Sequence, residues 1–229
     1  VNTLAIVGYG KMGRMIDQLA PEYDFAVRAR IDLGGDFQQV SGCDVAIEFS
    51  TPDAVAGNVD KLAAVRVPVV VGTTGWLKEM DRVRAAVEKY ESAMIWSPNF
   101  SIGVNVFTRL VREAARLLSN QPQYGAWAWE IHHHTKKDAP SGTLLKLVDE
   151  MRAGGYTREV DASSSRAGAH PGTHEIGFDS AADTITLRHS ARSREGFARG
   201  ALQAAQWMVA NKDKRGVFEF SDILFGGNL

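Results

Sequence analysis

Thr3-Leu4-Ala5-Ile6-Val7-Gly8-Tyr9-Gly10-Lys11-Met12-Gly13 is the stretch whose reading decides the fold. Leu4–Val7 is an apolar run of strand length, and Met12, Ile16 and Leu19 recur at helical spacing until Pro21 stops them. Three glycines in the pattern G-x-G-x-x-G stand between the two. Glycine there permits a tight turn and close backbone approach, so helix N-terminal amides can face a pyrophosphate. The glycines alone are a weak signal. Their context strengthens it, because Asp32 closes the next strand about 20 residues on, where the dinucleotide fingerprint wants an acid.

Working outward, Val27, Ala29 and Ile31 alternate as a second strand, and Val45–Phe49 reads as a third. Pro52 suits the first turn of a helix carrying Val55, Val59 and Leu62 on one face. Val67–Val71 is continuously apolar, as a strand buried on both sides would be. Met80, Val83, Val87 and Tyr90 form the next helical stripe, and Ala93–Trp96 the next strand. This alternation predicts an α/β fold with an N-terminal Rossmann doubly wound parallel sheet. Ligands bind at the carboxyl edge of such sheets. Gly72, Thr73 and Thr74 follow the fourth strand, and Ser97, Pro98, Asn99 and Phe100 the fifth. With Gly8, Tyr9, Gly10, Lys11, Met12, Gly13 and Asp32 they form the candidate cofactor set. Asp32 favours NAD by repelling the extra phosphate of NADP, while Lys11 and Arg14 offset that repulsion. Both NADH and NADPH stay open as cofactors.

The pattern changes after Pro98-Asn99-Phe100. Phe107, Leu110, Val111, Ala114, Leu117 and Leu118 mark a long amphipathic helix, and Ala126–His132, Gly172–Phe178 and Thr184–His189 look like strands. Ser163-Ser164-Ser165 reads as a loop. Strands in succession predict a second, α+β domain. Phe197, Ala201, Ala205 and Met208 then give a late helix.

Composition bounds the function. The 229 residues are 45% hydrophobic and 23% charged, enough for a substantial core without disulfides or structural metal. With 26 basic against 27 acidic side chains, no basic excess exists to attract a nucleic acid. Cys43 is the lone cysteine, which excludes an internal disulfide and a cysteine-ligated zinc. A charged-then-apolar leader is missing at the start, and no apolar run reaches about 18 residues, so a cytoplasmic, non-membrane protein is expected.

The chemistry concentrates in Glu130-Ile131-His132-His133-His134-Thr135-Lys136-Lys137-Asp138-Ala139-Pro140-Ser141-Gly142-Thr143. Strand alternation puts Trp127, Trp129 and Ile131 on one side, as core or subunit interface, and Glu130 and His132 on the other. A histidine can deliver the proton that a reduction needs beside its hydride. Ser141 is placed to cap the helix of Leu144, Leu147, Val148 and Met151, leaving the amides of Gly142 and Thr143 for a carboxylate. Lys136 adds a mobile charge just before it. Together these predict a small acidic substrate held beside a histidine acid. No metal is expected: adjacent strand residues point apart, so at most His132 and His134 converge, and there is no H-E-x-x-H.

The Glu130–Thr143 run resembles the signature of the dihydrodipicolinate reductase (4-hydroxy-tetrahydrodipicolinate reductase) family. The likeness continues through Phe49-Ser50-Thr51-Pro52, Gly72-Thr73-Thr74-Gly75, Asn99–Asn105, Arg166-Ala167-Gly168 and Gly216-Val217-Phe218. The resemblance implies an NAD(P)H-dependent reduction of a cyclic imine dicarboxylate in lysine and diaminopimelate biosynthesis. It implies His132 for proton transfer and Lys136 for gripping a carboxylate and assisting protonation. It further implies His133, Ser141, Gly142 and Thr143 as substrate contacts. It implies a dinucleotide-binding domain of residues 1–103 and 207–229, a substrate and oligomerisation domain of 104–206, and a homotetramer. Two other readings stand beside it: an aspartate-type amino-acid dehydrogenase, and a non-enzymatic Rossmann redox sensor.

Overall fold

A computed structural model describes residues 1–226. In chain order its strands are β1 (Asn2–Val7), β2 (Phe25–Ile31), β3 (Val45–Glu48), β4 (Val69–Val71), β5 (Ala93–Trp96), β6 (Gly125–His132), β7 (Val160–Arg166), β8 (Thr173–Asp179), β9 (Thr184–Ser190) and β10 (Gly216–Glu219). The helices are α1 (Lys11–Leu19), α2 (Val55–Ala64), α3 (Met80–Lys89), α4 (Ile102–Leu118), α5 (Gly142–Ala153), α6 (Glu195–Ala210) and α7 (Phe220–Phe225).

Strand parity builds the first unit. Leu4 and Ile6 of β1 pack into one core with Val45 and Ile47 of β3 and Ile95 of β5. Ala5 and Val7 join Ala46, Val69, Val71 and Met94 in a second core on the other face. Helices α1, α6 and α7 cover the first core, and α2 and α3 the second. A sheet buried on both faces needs apolar residues at successive positions, which is why these strands read as unbroken runs. All strands are parallel, in the order β10-β5-β4-β3-β1-β2. The chain steps from β1 outward to β2, then returns to place β3 on the other flank of β1. This is the doubly wound arrangement with its switch point between β1 and β3, where a crevice opens beyond the strands' carboxyl ends.

The two compact units are Val1–Ile102 with the chain from Glu195 onward, and Gly103–Arg194. The return therefore comes at Glu195, ahead of the expected 207. The reason is α6, whose small residues Ala198, Gly200, Ala201, Ala204 and Ala205 are buried in the first unit's core. Its backbone approaches so closely that a Cβ on Gly200 would lie 1.8 Å from the Phe100 carbonyl oxygen.

The second unit carries a mixed sheet, β7-β6-β8-β9, in which β6 and β7 run parallel and the other pairs antiparallel. Helices α4 and α5 cover one face, burying Val111, Ala115, Leu144, Leu147 and Met151 against Ala128, Ile176 and Phe178. Two expectations are corrected here. Ser163–Ser165 is part of strand β7, not a loop: this edge strand lacks apolar alternation because its serines work as hydrogen-bonding groups. Leu110 and Leu117 are exposed, at 54% and 61%, so the buried stripe of α4 is narrower than the sequence pattern. The helix after Pro52 also starts later, at Val55.

Candidate functional site

At the carboxyl edge of the first sheet, each glycine of the fingerprint has its own physical reason. Gly8 has φ +90°, and a Cβ there would meet the Phe49 carbonyl oxygen at 2.1 Å. A Cβ on Gly13 would meet the Gly8 carbonyl oxygen at 2.3 Å. Packing within the chain fixes both. Gly10 differs: it caps α1 with extended backbone, and a Cβ there would meet nothing within 4 Å. The space beside Gly10, in front of the first α1 amides, fits the close approach of a dinucleotide pyrophosphate. Lys11 and Arg14 are exposed beside it. The Met12 side chain packs on the core, and Tyr9 hydrogen-bonds Asp17, which Arg30 clamps at 2.6 and 2.8 Å. Asp32 is exposed directly after β2 and accepts from the Leu33 amide at 3.0 Å.

The loops after β3 and β4 meet on a buried carboxylate that the sequence reading did not single out. Glu48, fully buried at the end of β3, accepts from Thr73 Oγ1 at 2.7 Å, Asn58 Nδ2 at 3.1 Å and the Ser50 hydroxyl. Thr73 Oγ1 also accepts from the Ser50 amide at 2.7 Å. Burial pushes the Glu48 carboxyl above its usual range, against those hydrogen bonds. Thr73 is thus turned inward, whereas Thr74 is exposed and Gly72 packs against the Phe49 ring. Ser97 is buried with its hydroxyl donating to the Asn99 carbonyl at 2.8 Å, and Asn99 Oδ1 accepts from the Ser101 amide at 2.9 Å. The Phe100 side chain is core, stacked near Phe220.

In the second unit, Ala128, Glu130 and His132 share the helix-covered face of β6, while Trp127, Trp129 and Ile131 are half-buried on the open face. Glu130 is fully buried and gathers groups from three other elements. Its Oε1 accepts from the Ser141 amide at 2.8 Å, Ser164 Oγ at 2.9 Å and Arg166 Nη2 at 2.9 Å. Its Oε2 accepts from the Ser141 hydroxyl and lies 3.3 Å from His174 Nε2 and 3.4 Å from His132 Nδ1. Burial opposes the charge, but hydrogen bonds from His174, Ser141 and Arg166 outweigh it and hold the carboxyl well below the usual range.

His132 is 8% exposed, and its pKa is pushed down to about 4, mainly by burial, while Glu130 pulls the other way. Its Nδ1 is buried without a hydrogen-bond partner. Its Nε2 faces Gly172, where a Cβ would sit 2.9 Å away. His133 pairs with Thr135 Oγ1 at 2.7 Å. Lys136 already grips a carboxylate, that of Asp138, at 2.7 and 2.9 Å. Ser141 caps α5 by accepting from the Leu144 amide at 3.2 Å. That hydroxyl is spent inward, at 2% exposure, so the residue itself does not face solvent; Gly142, which opens α5, does.

Two residues left without roles at the sequence level now have structural ones. His134 holds the Gly168 carbonyl through its amide at 3.1 Å and its ring Nδ1 at 2.9 Å. Arg166 is the half-buried cation on Glu130. The histidine that meets His132 is His174, from outside the His132–His134 run, and with Glu130 their ligand-type atoms lie within 4.8 Å of one another. Arg166 beside that carboxylate neutralises it and disfavours a dication there.

Comparison with known proteins agrees over nearly the whole chain. Residues 27–100 match the family description "Dihydrodipicolinate reductase, N-terminus" and residues 103–224 "Dihydrodipicolinate reductase, C-terminus". A 4-hydroxy-tetrahydrodipicolinate reductase of Christiangramia forsetii is 35% identical, covering 96% of this chain and 97% of its own. One from Archaeoglobus fulgidus is 34% identical, covering 94% and 96%. Among solved structures, a dipicolinate-bound dihydrodipicolinate reductase from Paenisporosarcina sp. TG-14 superposes with a TM-score of 0.80 at 19% identity, covering 97% and 99%. With residues 27–100 and 103–224 matched, the Glu130–Thr143 segment among them, and relatives about one-third identical over nearly their whole length, the chain belongs to the dihydrodipicolinate reductase family.

Proposed function

We propose that this enzyme reduces 4-hydroxy-tetrahydrodipicolinate, or the dihydrodipicolinate formed from it by loss of water, to tetrahydrodipicolinate with NADH or NADPH, in lysine and diaminopimelate biosynthesis; from the hydroxylated form the hydroxyl leaves as water. The observation that carries the reading is the joint placement of His132 and the start of α5 on one buried carboxylate, Glu130. A proton-bearing ring and an anion-binding helix end are what reduction of a cyclic dicarboxylate requires. Gly8, Tyr9, Gly10, Lys11, Met12, Gly13 and Asp32 hold the cofactor's phosphates and ribose, and residues 72–74 and 97–100 hold its nicotinamide half. When bound, the reduced nicotinamide supplies a hydride.

The chain's own residues do the rest. The amides of Gly142 and Thr143, at the positive end of α5, bind one substrate carboxylate. Lys136 takes the other, exchanging Asp138 for it, and His133 lies beside them. Burial keeps His132 neutral near pH 7 even with Glu130 beside it. Two carboxylates beside the ring favour its charged form, so substrate binding draws a proton onto Nε2, which then passes to the ring atom that needs it. Ser141 caps and positions rather than contacts substrate.

Four further points belong to the same reading. Asp32 favours NADH, and Lys11 with Arg14 admits NADPH. The protein is a homotetramer joined through the open sheet face, where Trp127 lies across Gly177 and Trp129 donates to Ser165 Oγ at 3.2 Å. Among the described residues no helix is long and apolar enough to cross a membrane. A cytoplasmic location suits the buried, unpaired Cys43.

The test is oxidation of NADH and of NADPH with freshly generated substrate, on wild type and His132→Ala. Turnover by wild type and a loss of at least about 100-fold in the variant are expected. No turnover with either cofactor, despite NADH binding, would sink the substrate assignment. Turnover that needs ammonia in the reverse direction would favour the amino-acid dehydrogenase instead.

A further inference from the structure

Glu130 is closed to solvent, yet it is the one group that the proton-bearing ring and the anion-binding helix share. Its partners come from β6 (His132), the α5 cap (Ser141), β7 (Ser164, Arg166) and β8 (His174). The His132 ring is oriented between two features. On one edge Nδ1 is buried and unpartnered, and an acceptor, Glu130 Oε2, lies 3.4 Å from it. On the other edge Nε2 faces Gly172, whose missing side chain leaves space where a Cβ would be 2.9 Å away. A proton placed on Nδ1 settles the orphaned nitrogen against the carboxylate and leaves Nε2 to exchange a proton through the Gly172 opening.

We infer that Glu130 is a positioning residue: its one carboxylate fixes the Nδ1–H tautomer of His132 and the start of α5 together. His174, 3.3 Å from the same oxygen and edge-on to His132 at 5.1 Å between ring centres, supports the carboxylate from behind. Gly172 keeps Nε2 accessible. This rests on the reduction proposed above for its kinetic arm alone. The other groups near the ring are Lys136 and Arg166, both cationic. Glu130 is therefore the anion that keeps an extra ring proton tolerable. Through Ser141, whose amide and hydroxyl it holds, the same anion sets where Gly142 and Thr143 begin.

Nitrogen-15 NMR of histidine-labelled enzyme, with steady-state kinetics, tests this on wild type, Glu130→Gln and His132→Gln. Wild-type His132 should show the Nδ1–H tautomer, and Glu130→Gln should lose or mix it. In kinetics Glu130→Gln should lower kcat at least about 100-fold and raise the dicarboxylate KM, because ring and amides both shift. His132→Gln should lower kcat with KM little changed. The double variant should be no worse than about the poorer single one, since the two residues act as a unit. If Glu130→Gln fails to fold with Arg166 left unpaired, Glu130→Gln/Arg166→Gln removes both charges and takes its place. An unchanged His132 tautomer in the folded variant overturns the inference, as do kinetic losses that simply multiply. Wild-type inactivity on this substrate would instead defeat the proposed reaction, and the NMR arm would still decide the role of Glu130.

Discussion

The two units each bury one glutamate completely, and the two behave in opposite ways. Glu48, at the end of β3, meets only hydroxyls and an amide, from Ser50, Thr73 and Asn58, and burial pushes its carboxyl up. Glu130, on β6, meets the same kind of hydroxyls, but Arg166 and two imidazoles as well, and is held well below the usual range. Both are closed to solvent, but the Glu48 carboxyl is packed more deeply, so depth and partners together decide the charge. Neutral donors make Glu48 a staple between two loops at the edge of the first sheet. The Arg166 guanidinium, with the hydrogen bonds from Ser141 and His174, makes Glu130 a fixed anion beside the ring proposed to transfer the proton. The same side chain serves shape in one unit and electrostatics in the other.

The largest break in this comparison should come from removing each charge. Glu130→Gln leaves the half-buried Arg166 without its counter-charge and should cost about 3 kcal/mol in urea unfolding. Glu48→Gln keeps hydrogen-bonding capacity with no buried charge left over, so a change within about 1 kcal/mol at neutral pH is expected. Equal losses for the two would mean that Glu48 also works as a charge.

A pH series sharpens the contrast next. The folded pKa of His132 lies at about 4, below its ordinary 6.5, so unfolded chains bind the proton first as pH falls. Its contribution is fully present above 6.5 and is lost between 6.5 and 4, about 3 kcal/mol in all. Glu48 has a raised folded pKa, so its contribution is present below the unfolded value and is lost as pH rises through the folded one. Acid unfolding of His132→Gln should therefore be flatter than wild type across that window. A wild-type curve identical to that of His132→Gln would contradict the buried neutral ring.

Glycine substitutions give a smaller effect that separates fold from ligand binding in the first unit. Gly8→Ala should destabilise, because its Cβ would collide with the Phe49 carbonyl at positive φ. Gly10→Ala should melt like wild type yet weaken NADH binding about 10-fold or more in calorimetry, since only the ligand needs that space. At the smallest energetic scale, Trp129→Glu should leave each protomer folded but lower the mass in light scattering from that of the proposed tetramer toward that of a monomer.

How much of this was legible depends on the range of the interaction. Steric and local signals carried well: the glycine loop, the buried parallel strands, the Ser141 cap, and the parity that puts Glu130 and His132 together. What stayed hidden was long-range. Ser164, Arg166 and His174 reach Glu130 from β7 and β8, and nothing local to Val160–Arg166 announces a strand, because an edge strand of serines has no apolar period. Glu48 was passed over inside an apolar strand run, although an acid within a doubly buried strand is itself a signal that hydroxyls must converge on it.

Steady-state kinetics of Glu48→Gln and Glu130→Gln side by side, varying cofactor and dicarboxylate separately, tests the account most directly. Glu48→Gln should change only the cofactor KM, whereas Glu130→Gln should lower kcat and raise the dicarboxylate KM with NADH binding intact. A Glu130→Gln enzyme that loses NADH binding, or a Glu48→Gln enzyme impaired in the dicarboxylate KM, would contradict it.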